Sequence, residues 1–209
     1  MTSVSPAPPD PPAPSRVTRR RAQTRARLLE AGYRVWAERG FWQTKVEEIC
    51  AAAGYTRGAF YSNFDSLDDL FFALYDQQAD RVTGLVASVF TDAGGTAAGT
   101  GLIQQTAAAL PLDREWLMIK TEYLLHAARS PVLAERLAAH RSQLRAAIEH
   151  RLSQASSQLH PPPAIAAIPD AARAVIAAYD GITVAYLLDN DEETARSWLT
   201  QLLTALLGQ

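Results

Sequence analysis

Between residues 44 and 64 the apolar positions fall into two short helical patterns. Val46, Ile49, Cys50 and Ala53 recur at i, i+3, i+4 and i+7, which makes one face of a short helix. Thr44, with Glu47 three positions later, forms a capping-box pattern at its start. Gly54 suits its end, because glycine accepts the left-handed backbone of a helix C-terminus. Thr56 can cap a second helix with its hydroxyl, and Phe60 and Phe64, four apart, then face the core together. The stretch predicts two short helices joined by a tight turn.

The flanking pattern is helical throughout. Leu28, Leu29, Gly32, Val35 and Trp36 form an inward stripe of a helix running to about Arg39 and closed by Gly40. After Ser66, a cap, a long helix is expected from Leu67 to about Phe90, with Leu70, Phe71, Leu74, Val82, Leu85, Val86 and Val89 inward. Residues 91–101 read as a loop. Helices follow from Leu102 to about Leu110, from an Asp113 cap to about Arg129, and from Pro131 to about Ser156. After a proline-rich loop at His160–Pro163 come two last helices, Asp170 to Leu188 and Asp191 to Leu207. Trp198, Leu199, Leu202, Leu203 and Leu206 give the last one a strong apolar stripe. No strand and no internal repeat is expected, so the fold class is all-α.

Composition divides this helical chain. Residues 1–15 are dominated by Pro, Ala and Ser, have little to bury, and are expected to form a disordered tail. The net charge of −2 conceals an asymmetry: residues 16–64 hold ten basic and four acidic side chains, +6, and residues 65–209 hold ten and 17, −7. A basic segment on an acidic body predicts a polyanionic partner for the front alone. The expected division is therefore a tail (1–15), a helix-turn-helix DNA-binding domain (16–64) and a helical ligand-binding and dimerisation domain (65–209). The lone Cys50 rules out an intrachain disulfide and agrees with a reducing cytoplasm. No apolar run reads as a membrane helix and no apolar signal core stands at the N-terminus, so a cytoplasmic location with no membrane partner is expected.

The basic front carries the candidate chemistry. Arg57 can fork onto a guanine edge or a phosphate, and Gly58 leaves room for close approach of the backbone to a base or sugar. Tyr61, Ser62 and Asn63 add hydrogen-bonding groups on the outer surfaces. Arg19, Arg20 and Arg21 can reach a minor groove or run along phosphates, or else form a solvated charge run at a helix start. In the body, Phe90, Gln105, Trp116, Tyr123, His126 and Tyr179 are candidates to line a cavity suited to an apolar or aromatic ligand, although taken singly a residue on such a helix face is more often core. Glu122 and His126, at i and i+4, can face each other as a polar pair. No nucleophile elbow, phosphate-binding glycine loop or metal-ligand spacing appears, so neither catalytic residues nor a metal or other cofactor is expected. The apolar content of the last two helices suits a symmetric four-helix dimer contact, or simply completes the monomer core.

Taken in order, Gly40-Phe41, Thr44 to Gly54, Thr56-Arg57-Gly58-Ala59-Phe60-Tyr61-Ser62-Asn63-Phe64 and the following Leu- and Phe-rich helix resemble the TetR/AcrR family of transcriptional regulators. The motif likeness runs from about Arg25 to Leu74; beyond it only the helical architecture is shared. The resemblance implies a homodimer with two DNA-reading heads on a helical core that holds a small-molecule pocket. It implies contacts from Thr44 and Lys45 to the DNA backbone, from Thr56, Arg57, Gly58 and Ser62 to bases or phosphates, and from Tyr61 to a phosphate. Two positions depart from the family pattern. Asn63 replaces a common histidine, and Leu67 replaces a lysine that usually meets phosphate. The expected function is a ligand-responsive repressor released from its operator by a small hydrophobic molecule. The alternative is a helical interaction or scaffold protein whose helix-turn-helix no longer reads DNA.

Overall fold

The computed structural model describes residues 16–92 and 100–208. The expected tail at 1–15 lies outside the described residues, as does most of the expected loop at 91–101. Among the described residues the chain forms α1 (Arg16–Arg39), α2 (Val46–Ala53), α3 (Arg57–Tyr61), α4 (Leu67–Asp92), α5 (Thr100–Ala109), α6 (Arg114–Ala127), α7 (Pro131–Gln154), α8 (Ile168–Asp189) and α9 (Glu192–Leu207). No strand occurs among them; a single bridge joins His160 to Gly208.

Local chemistry sets most boundaries. Gly40 (φ 81°) and Gly54 (φ 71°) take left-handed backbone where α1 and α2 stop. Thr56, Asp113, Ser130 and Asp191 cap α3, α6, α7 and α9 by accepting backbone N–H groups. One cap differs from the sequence expectation. The capping contact is one-sided and belongs to Glu48 and Lys45, one residue later than Thr44 and Glu47. Glu48 Oε2 accepts from Lys45 N at 2.8 Å, while the Thr44 hydroxyl donates inward to Gly40 O at 2.8 Å. Thr44 is 6% exposed, so its side chain serves the turn before α2.

Helix begins at Arg16, which places Arg19, Arg20 and Arg21 within the first turns of α1.

One apolar cluster runs from Leu28 in α1 to Leu207 in α9. All five residues of the predicted α1 stripe are buried. The α1–α4 contact is close: a Cβ added to Gly32 would stand 2.7 Å from Leu70 Cδ2. At the centre, Phe71 of α4 stacks on Tyr123 of α6 at 3.6 Å between ring centroids, and Phe41 meets Tyr123 edge-on at 5.1 Å. Such pairs contribute about 0.5–1.5 kcal/mol each beyond burial. They fasten the small front helices to the body.

By length and composition α8 could cross a membrane, contrary to the sequence expectation: it has 22 residues, and an 18-residue window within it has a mean hydropathy of 1.3. Its Asp180 pairs with Lys120 and Arg141, and the helix packs against α7 and α9, which is the setting of a core helix. Only 28% of its apolar window is buried, however, so much of this face is open in the single chain.

Candidate nucleic-acid interface and effector cavity

In the front part, α3 lies after the α2 turn with its apolar side inward: Phe60 is fully buried and packs on Phe64 at 5.8 Å. That leaves Thr56, Arg57, Gly58, Tyr61 and Ser62 exposed, together with Lys45 at the start of α2. The Arg57 guanidinium lies 3.0 Å from Glu47 and 5.8 Å from the Tyr61 ring centre. Both partners of the ion pair are well exposed, so the pair is weak and can be exchanged for a stronger anion. Gly58 has open space on its Cβ side, with only Thr56 Oγ1 within reach at 3.8 Å. Nothing inside the folded chain therefore requires glycine at this position.

The arginines divide into two groups. Arg19 and Arg20 are exposed. Arg21 and Arg25 reach the C-terminal end of α3, donating to Ser62 O and Asn63 O, each at 3.2 Å, and Arg25 also lies 4.4 Å over the Phe64 ring. Cationic groups are favourable at a helix C-terminus, so these two hold α3 on α1. Ser62 and Asn63 direct donors back to Ala59 O, at 2.9 and 2.8 Å. The inward turn of Asn63 leaves its Oδ1 buried with no hydrogen-bond partner. Leu67 is half-buried against the core.

In the body, two cavities adjoin. The first, about 110 Å³, lies among α4, α6, α7 and α8 and is walled by the rings of Tyr75, Trp116 and Tyr179 with Lys120, Arg141 and Asp180 among its polar groups. The second, about 100 Å³, is almost wholly apolar, with Val86, Leu102, Ile103, Leu152 and Leu203 in its walls. Val82, Leu110, Ile148 and Val175 line both.

The sequence candidates distribute unevenly over this body. Trp116 and Tyr179 line the first cavity. Gln105 is exposed on α5, and the Phe90 side chain lies outside what is described. Tyr123 and His126 line neither cavity. The Tyr123 hydroxyl donates to Asp68 at 2.8 Å, and His126 lies 3.7 Å from the same carboxylate and 4.3 Å from the Trp42 ring. The expected Glu122–His126 pair does not form: the Glu122 carboxylate accepts from Phe41 N at 2.7 Å, across the joint between front and body.

Lys120, Arg141 and Asp180 did not stand out in the sequence. Asp180 accepts from Lys120 Nζ at 3.2 Å and from Arg141 at 2.8 Å. Burial pushes its carboxyl upward, but the two cations outweigh that and hold it below the usual carboxylate range. The Tyr179 phenol is pushed up to about 12 by burial and the nearby Asp180 and Asp113 charges, so it stays a neutral donor, to Pro111 O at 2.6 Å. A detectable signal was present: Asp180 interrupts the apolar run Ala177–Leu188, where an acid calls for a buried partner.

Asp113 has three roles. It lines the first cavity, caps α6 through Trp116 N at 3.1 Å, and accepts the Tyr33 hydroxyl of α1 at 2.7 Å. Burial, and then the Asp113 carboxylate, raise the Tyr33 pKa well above that of a free phenol.

Comparison with known proteins matches two consecutive stretches of the chain. Residues 28–74 match the family described as bacterial regulatory proteins, tetR family, and residues 76–209 match the tetracyclin repressor-like C-terminal domain. The chain belongs to the TetR family. Over 131 residues it is 28% identical to the HTH-type transcriptional repressor AcnR of Corynebacterium glutamicum, covering 63% of this chain and 65% of AcnR. The match thus spans less than two thirds of that relative. A solved TetR-family regulator from Rhodococcus sp. superposes with a TM-score of 0.74 at 19% identity, covering 90% of this chain and all of that one. The multidrug binding protein EbrR, solved with imidazole, superposes at 0.60 with 27% identity over 91% of this chain and 96% of EbrR.

Proposed function

We propose that this TetR-family protein is a DNA-binding repressor that leaves its operator when a small molecule enters the α4–α8 cavity. Its units are a head of residues 16–64 and a core of residues 65–209. The observation that carries the reading is the exposed face of α3, with Arg57, Tyr61 and an intramolecularly unneeded Gly58 beside a basic α1. Lys45, Thr56 and Ser62 complete the DNA-facing set, while Thr44 and Asn63 serve through the fold of the turn. Arg19 and Arg20 add exposed charge for phosphates. AcnR is named a repressor and EbrR a multidrug binding protein; we carry the first role, and an apolar or aromatic effector, to this chain.

The mechanism we propose runs through α6. An effector against Trp116 and Tyr179 presses on the wall that contains Asp113. Moving Asp113 disturbs its bond to Tyr33, and rotating α6 carries Glu122 away from Phe41 N. Both contacts hold the DNA head in one orientation, so an effector that prefers the altered α6 drains the DNA-competent population. The two heads come from a homodimer through α8 and α9. Val184, Leu188 and Trp198 are 55%, 80% and 53% exposed there, and such apolar groups favour covering by a second copy. The role is one of binding, with no catalytic step.

The test is fluorescence anisotropy on DNA from upstream of the gene and its neighbours. The wild type should discriminate one fragment from bulk DNA, and Arg57→Ala should lose that discrimination. A protein that binds no fragment better than random DNA defeats the reading and leaves the scaffold alternative. Sedimentation at low concentration should show a dimer, and a clean monomer would defeat the two-head arrangement.

A further inference from the structure

We infer that the two adjoining cavities form one bipartite site, and that it takes an amphiphile: a carboxylate held in the first chamber on an apolar chain that runs into the second. The inference rests on the effector reading above and narrows the chemistry of the ligand.

Each chamber supplies one half of the argument. In the first, two cations share one anion. Lys120 and Arg141 both bond to Asp180, so the trio carries one positive charge in excess. Lys120 is only 17% exposed and keeps two further N–H donors, and the Arg141 guanidinium keeps donors beyond the one bonded to Asp180. The free donors of Lys120 and Arg141 favour an added carboxylate, which can accept from both cations at once. The other acid in the wall, Asp113, keeps its charge, since its donors, the Tyr33 hydroxyl and Trp116 N, are neutral; the lining as a whole is balanced, and the free N–H donors of the two cations are what select an anion. The neutral Tyr179 phenol, spent on Pro111 O, does not oppose an anion.

The second chamber has almost no polar wall. Thr83 and Thr106 return their hydroxyls to their own helices, and Arg151 donates to Gln154. What remains is aliphatic, and a chamber of that kind rewards apolar volume alone. Four aliphatic side chains, Val82, Leu110, Ile148 and Val175, border both chambers. Small rotamer shifts of such groups suffice to pass a methylene chain, which neither chamber alone would explain.

Isothermal titration of the full-length protein with hexanoate, octanoate, decanoate and dodecanoate tests this, with the matching primary alcohols and alkylammonium ions alongside. Affinity should rise by about fourfold per buried methylene and level off once the second chamber is full. Each carboxylate should bind about tenfold or more tighter than its alcohol, consistent with a charge-assisted contact. Lys120→Met should erase that preference and keep the chain-length slope. Val175→Trp should do the reverse, flattening the slope beyond the shorter acids. Circular dichroism on both variants confirms that they fold. Alkylammonium ions binding as well as carboxylates, a flat chain-length response, or no binding of any series would each overturn the inference. DNA release followed in the same samples separates the two proposals. Acids that bind with the predicted pattern yet leave DNA affinity unchanged uphold the site and defeat the effector reading.

Discussion

Gly58→Ala separates what α3 needs to fold from what it needs to meet DNA. Gly58 is the second residue of α3 and does not use left-handed backbone, which among the described glycines belongs to Gly40 and Gly54. An alanine Cβ would meet only Thr56 Oγ1 at 3.8 Å, an ordinary contact. Replacing glycine by alanine within a helix stabilises by about 0.5–1 kcal/mol. In so short a helix the lower value applies. For a chain of this size that raises the melting temperature by about 1–2 °C. On DNA the sign reverses. A methyl group on the approach side of α3 pushes the helix off the groove floor, and losing one base-pair contact costs about 1–3 kcal/mol. The paired assays are a thermal melt and anisotropy on the operator fragment at fixed salt. The expected result is a slightly more stable protein that binds operator at least fivefold more weakly. Unchanged operator affinity would refute the claim that α3 presents Gly58 to DNA. A lowered melting temperature would refute the reading that the space there is free.

Three further substitutions probe the joints. Gly32→Ala forces a methyl against Leu70 Cδ2 at 2.7 Å and should destabilise by about 1–3 kcal/mol, measured by denaturant unfolding; an unchanged midpoint would show that the α1–α4 contact yields freely. Tyr33→Phe removes the bond to Asp113 and should lower stability by about 1 kcal/mol; by loosening the DNA-competent orientation it should weaken operator binding without effector and tighten effector binding, and no change in either affinity would exclude the Asp113–Tyr33 route. The depressed carboxyl of Asp180 makes its contribution present above the usual aspartate range and lost as pH falls through its lowered value. Asp180→Asn should therefore flatten the acid limb of a stability-against-pH curve, and an unaltered limb would contradict the role given to the trio.

The helices were legible because apolar periodicity and caps are local. The α1 stripe and the Thr56 and Asp113 caps needed nothing beyond their neighbours in the chain. The α2 cap was displaced by one residue because the Thr44 hydroxyl is used in bonding Gly40 O, leaving the Glu48 carboxylate to cap Lys45 N. The exposed face of α3 was also legible, since burying Phe60 and Phe64 fixes what remains outside. The cavity was not. Periodicity marks Tyr123 and Trp116 alike as inward, yet one closes the joint to Phe71 and the other borders empty space. That difference is set by tertiary packing among α4, α6, α7 and α8. The Lys120–Asp180–Arg141 trio joins three helices far apart in sequence, and only the lone acid in the α8 apolar run hinted at it.

The most direct test of the account is the salt dependence of binding to the operator fragment. A head that places Lys45, Arg57, Arg19 and Arg20 against phosphates should show log K falling linearly with log salt, by roughly 0.9 for each phosphate neutralised. Arg20→Ala should lower that slope by about one unit without altering sequence preference. A shallow slope, unmoved by Arg20→Ala, would contradict DNA binding through this face.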